Sequence, residues 1–151
     1  MAIKRYNQHK LKGYIGKSKV LLSRYGCLIC SICSLSSRFW KHSIIPQEAT
    51  KTWSFTSQGL LEWGSDFDGM KFENRIHRPP TNEELRYWCR TKDRGMVLEL
   101  NNGSHWVFVW YYPFSIGVEG TLVLDSLGAK YYLLGLSKYK CTGFATFSKS
   151  I

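Results

Sequence analysis

Three residues have the types and surroundings of a thiol acyl-transfer site: Cys27 in SRYGCLICSICSL, His105 in GSHWVFVW and Asp125 in TLVLDSLG. A thiol attacks a carbonyl as thiolate, an imidazole beside it exchanges the proton, and a carboxylate behind the imidazole fixes its tautomer. Cys27 follows a Tyr-Gly turn at the start of an expected helix, where the N-terminal dipole favours a charged sulfur. His105 and Asp125 are expected at the ends of neighbouring strands.

Helical spacing of Leu28, Ile32, Leu35 and Phe39, with Ile29 and Cys33 beside them, predicts a core helix from Cys27 to Phe39. Pro46 opens a second helix, and Thr81 with Glu84 forms a capping box for a short third before Leu85 and Trp88. Residues 54 to 80 show no clear period. Beyond them the pattern turns to strands: Met96 to Leu100, His105 to Tyr112, Thr121 to Asp125, Tyr131 to Leu134 and Gly143 to Phe147, with turns at 101–104 and 126–129. Helices first and antiparallel strands second make the class α+β, the strands forming a meander. Antiparallel pairing sets the start of one strand beside the end of the next. The expected register places His105 opposite Asp125, Val107 opposite Val123 and Val109 opposite Thr121, with that face turned to the Cys27 helix and Trp106, Phe108 and Trp110 on the other.

A length of 151 residues suits a single domain, 1–151, able to bury a core without disulfide staples. Five cysteines, three of them at 27, 30 and 33, do not resemble a secreted disulfide framework. No run of 18 apolar residues occurs, and no apolar segment follows the basic start, so the expectation is cytoplasmic synthesis with neither signal peptide nor membrane span. Charge is uneven. Residues 1 to 47 hold nine Lys and Arg and no acid, against twelve and eleven in the remainder. The segment 1–24 reads as a basic arm wrapped on the domain, either a solvated surface or a dock for an anionic partner such as nucleic acid, an anionic polymer or an acidic protein.

YGCLICSICSL, the helix entry Ile45-Pro46, HWVFV and LVLDSLG together resemble the papain-like cysteine peptidases related to the double-glycine-leader peptidases of bacteriocin exporters, over about Gln8 to Gly128. The resemblance implies a papain-like fold, with a central N-terminal helix on an antiparallel sheet. It further implies Cys27 as nucleophile, His105 as general base and acid, Asp125 as orienter, and a glutamine upstream of the cysteine as oxyanion donor. Gln8 is the only glutamine upstream of Cys27. Where that family often follows the aspartate with proline, Ser126 stands here. The implied substrate is a peptide or protein, cleaved without cofactor or metal.

Two other readings stay open. Cys27, Cys30 and Cys33 form overlapping C-x-x-C units that could serve a redox or metal role, a zinc site recruiting His42 or Cys89. The same fold could also act without catalysis, as a virion or interaction protein, consistent with a stand-alone domain of phage or bacterial type. Cys30 and Cys33 are otherwise read as inert core residues, and His9, His42 and His77 as solvent-facing.

Overall fold

The computed structural model describes residues 3–40 and 44–150. A one-turn helix α1 (Leu22–Tyr25) leads through Gly26 directly into α2 (Cys27–Phe39). Gly26 is confined to glycine by packing: a Cβ there would meet the Leu22 carbonyl oxygen at 2.4 Å and its Cδ1 at 2.6 Å. The glycine thus lets one helix turn directly into the next.

Eleven of the thirteen α2 residues are buried, so the helix runs through the molecule with no solvent face of its own. Its serines tolerate this because they bond locally. Ser31 Oγ donates to the Cys27 carbonyl at 2.7 Å, Ser36 to Cys33 at 2.6 Å and Ser37 to Ser34 at 2.6 Å, which matches these three buried hydroxyls within the helix. On one side lie α3 (Pro46–Thr52), opened by its proline, and the N-terminal segment, whose Ile3, Tyr6, Leu11 and Ile15 pack into the same cluster. That segment thus lies on the domain with its apolar residues turned to the core and its lysines exposed.

On the other side is one six-stranded antiparallel sheet, made of β1 (Met70–Ile76), β2 (Arg94–Leu100), β3 (His105–Tyr111), β4 (Leu122–Asp125), β5 (Lys130–Leu133) and β6 (Cys141–Lys149). Its order is β1-β6-β2-β3-β4-β5. The class is α+β, as expected. Two features depart from the simple meander: β6 inserts between β1 and β2, and β1 lies inside the stretch whose sequence shows no period. That strand is at an edge, half-buried and polar at Lys71, Glu73, Asn74 and Arg75, so apolar alternation is absent.

The faces are also the reverse of the expectation. Trp106 and Phe108 pack with Ile32, Leu35 and Phe39 on the α2 side, while Val107, Val109 and Val123 pack on the opposite side with Leu85 and Cys89 of α4 (Asn82–Cys89). The bulky aromatics fill the space beneath the central helix, and the small valines suit the short α4. Thr81 and Glu84 close their capping box, Glu84 N–H donating to Thr81 Oγ1 at 3.2 Å and Thr81 N–H to Glu84 Oε1 at 2.9 Å.

Candidate active site

The turn at 101–104 brings the chain into β3 with Asn101, Asn102 and Gly103 all at positive φ (50°, 57° and 92°), the backbone that Asn and Gly accept at least cost. His105 is the first residue out of that turn. Asp125 closes β4 and starts the turn into β5, in which Gly128 is at φ 86° and Ala129 at φ 52°.

The register between β3 and β4 sets Phe108 opposite Leu124 and Val109 opposite Val123, so His105 does not lie directly across from Asp125. The shift is two residues from the expected pairing, which keeps both side chains on one face and makes their contact diagonal. A bulge between Val109 and Tyr111 absorbs an extra residue on β3, which the sequence pattern does not reveal. By alternation His105 belongs to the valine side of the sheet. It meets Cys27 at the sheet's end, where β3 begins and α2 starts.

His105 Nε2 is 2.8 Å from Asp125 Oδ1, with both side chains buried. That contact leaves Nδ1 as the ring nitrogen for the thiol, and the imidazole is hydrogen-bonded to Cys27 as well as to Asp125. Burial alone would pull the imidazole down. The bonds to Asp125 and Cys27 outweigh it and raise His105 from 6.5 to about 9. Burial likewise disfavours the Asp125 carboxylate, yet His105, Tyr132 and the Leu127 N–H hold it below the ordinary carboxylate value. Tyr132 donates its hydroxyl to Asp125 Oδ2 at 2.7 Å, and Leu127 N–H donates to Oδ1 at 2.8 Å. At neutral pH the site therefore holds an imidazolium between a carboxylate and the Cys27 sulfur.

Gln8 is 1% exposed and lines the same cavity as Cys27 and His105. Its backbone N–H donates to the Ser126 carbonyl at 2.8 Å, and its side-chain oxygen accepts from Ser126 Oγ at 2.8 Å. With the oxygen accepting from Ser126, the amide NH2 is the end of the side chain that can donate. The first N–H of α2, that of Cys27, has no partner within the helix and is a second donor at the same place. Nineteen positions separate Gln8 from Cys27 in sequence, and the 3-10 turn Gln8–Lys10 closes that distance by docking on residue 126.

Three contributors are not evident from motif spacing. Ser126 ties Gln8 to the strand end that carries Asp125. Tyr132 could have been found from the hairpin: pairing Asp125 with Lys130 puts Tyr132 opposite Val123, on the aspartate's face. Tyr139 lays its ring over His105, centroids 5.3 Å apart at 36°, and no sequence signal indicates it.

Cys30 and Cys33 are 1% and 0% exposed. Burial raises Cys30 to about 12 and pushes Cys33 well above the ordinary thiol value. Among the described residues no three His, Cys, Asp or Glu side chains form a group that could hold a metal; His42 lies outside them. His9 and His77 are exposed, and Asp68 accepts from Trp53 Nε1 at 3.0 Å in a loop away from the site. Among the described residues no helix is long and apolar enough to cross a membrane. Comparison with family models, curated proteins and solved structures returned no match.

Proposed function

We propose that this chain is a papain-like thiol hydrolase that cleaves a peptide or isopeptide bond through Cys27, His105, Asp125 and Gln8. The observation that carries the reading is the buried chain of contacts from Asp125 through His105 to Cys27, opening onto a cavity of about 540 Å³ that Gln8 also lines. A core helix that begins with the nucleophile and packs on an antiparallel sheet bearing base and carboxylate supports the likeness to papain-like and double-glycine-leader peptidases.

In the first step the Cys27 thiolate attacks the carbonyl carbon and a C–S bond forms. The oxyanion is met by the Gln8 amide and the Cys27 N–H. His105 passes its proton to the departing nitrogen as the C–N bond breaks, leaving a thioester and a neutral imidazole. Water then gives a proton to His105 while its oxygen bonds to the acyl carbon. The C–S bond breaks, the acid leaves, and thiolate and imidazolium are restored. Asp125 orients the ring and stabilises its charge throughout, and Tyr139 covers it.

The test is capture of Cys27 by electrophilic peptide probes, read by mass spectrometry, in the wild type and in Cys27→Ala and His105→Ala. One adduct on Cys27, absent in Cys27→Ala and slowed by at least about 100-fold in His105→Ala, is the expected result. Adducts spread over other cysteines, or equal rates with and without His105, would overturn the assignment.

A further inference from the structure

Of the nineteen residues that line the cavity, none is acidic and Arg24 alone carries a fixed charge. One wall is apolar, made of Ile15, Val20, Leu28, Phe55 and Leu61. Gln8, Ile15, Val20 and Arg24 all come from the stretch 8–25, which also exposes Lys10, Lys12, Lys17 and Lys19 and contains no acidic residue. Among the described residues none of these five cations takes part in an ion pair. Arg24, on an acid-free lining and borne by a stretch with four further lysines and no acid, favours an anionic group in whatever enters the cleft. The wall asks for a different complement, since a glycine pair would leave these side chains facing water while a branched or aromatic side chain would cover them.

From this juxtaposition we propose that the substrate is an acidic peptide segment carrying a bulky apolar residue beside the scissile bond, the apolar side chain seated between Ile15, Val20, Phe55 and Leu61 and a flanking carboxylate drawn to Arg24. The proposal rests on the thiol-hydrolase reading above and adds its specificity. Arg24 is exposed and stacks only loosely on Tyr25, 5.9 Å from the ring centroid, so its guanidinium is available to a ligand.

Four internally quenched peptides test it, combining Leu or Gly-Gly beside the scissile bond with flanking Glu or Lys. The Leu peptide with Glu should have the highest kcat/KM. It should exceed its Gly-Gly counterpart by at least about tenfold and its Lys counterpart by about tenfold at low ionic strength, the latter ratio shrinking as salt screens the charges. Arg24→Glu should lower the Glu-over-Lys ratio by about threefold or more, through KM, and leave the Leu-over-Gly-Gly ratio unchanged. A preference for Gly-Gly, equal rates for Glu and Lys, or no cleavage of any of the four while Cys27 still shows His105-dependent alkylation would overturn the proposal and leave the thiol chemistry standing. Loss of that alkylation itself would sink both.

Discussion

The Asp125 carboxylate accepts three bonds, from His105, Tyr132 and the Leu127 N–H, and this crowding decides how the imidazole behaves. Asp125→Asn keeps the shape but loses the charge and allows the wrong tautomer, so kcat should fall by about two to four orders of magnitude with little change in KM. The pH profile gives an independent check. Wild-type kcat/KM should decline as pH passes about 9, where His105 loses the proton that the leaving nitrogen needs. In Asp125→Asn the burial that lowers His105 is less opposed, so that alkaline limb should move to lower pH; an unmoved limb would show that another group controls it. The stability linkage has the same sign. A folded imidazole held above its ordinary 6.5 contributes fully below that value, and the contribution is lost as pH rises through about 9. Cys27, His105 and Asp125 are legible from sequence because motif context marks all three. Tyr139 is not, because only the tertiary path of the 134–140 connection lays its ring over the imidazole.

Two elements converge on this residue set, and each can be tested alone. The 3-10 turn at Gln8 is joined to residue 126 by a backbone bond and a side-chain bond, so Ser126 occupies the position after the aspartate for a reason a proline could not meet: its hydroxyl holds the Gln8 oxygen. Gln8→Ala should reduce kcat by about 100-fold through loss of an oxyanion donor. Ser126→Ala leaves the donor but frees it, and a smaller loss, about tenfold in kcat, is expected from steady-state kinetics. Equal activity of Gln8→Ala and wild type would mean that the Cys27 N–H serves alone. The second element is α2, which approaches β2 so closely that a Cβ on Gly95 would lie 2.7 Å from Leu35 Cγ and 2.9 Å from Cδ1. Gly95→Ala should therefore destabilise by about 1–3 kcal/mol in urea unfolding, because Leu35 is fully buried and has nowhere to turn. The helix is foreseeable from its apolar spacing, but its depth is not: the burial of Ser31, Ser36 and Ser37 depends on hydroxyls bonding within the helix and on the N-terminal segment covering its outer side. The register on β3 escapes sequence reading for a similar reason, since the bulge at Val109/Tyr111 leaves no mark on the alternation.

At the scale of the whole molecule the five cysteines divide by position rather than by motif. Cys27 lines the cavity beside the imidazolium, whereas Cys33 and Cys89 are sealed in the two cores, Cys30 is buried against Ser126, and Cys141 is partly covered at the start of β6, paired with Leu100. Burial raises Cys30 and Cys89 to about 12 and Cys141 to about 11, so at neutral pH none of these three presents appreciable thiolate. The C-x-x-C spacing thus does not translate into a matched pair: one sulfur faces the cleft and its neighbour on the next turn faces protein. This separation makes a prediction that distinguishes hydrolase from redox or metal protein in one experiment. In the folded chain near pH 6, iodoacetamide should modify Cys27 first and nearly alone, activity should fall in step with that modification, and a chelator should alter neither rate. His105→Ala should slow the modification, since the cation beside the sulfur is gone. Modification of Cys27 and Cys30 at equal rates, protection by added zinc, or a 27–30 disulfide persisting under mild oxidant would instead assign these cysteines to the redox or metal role.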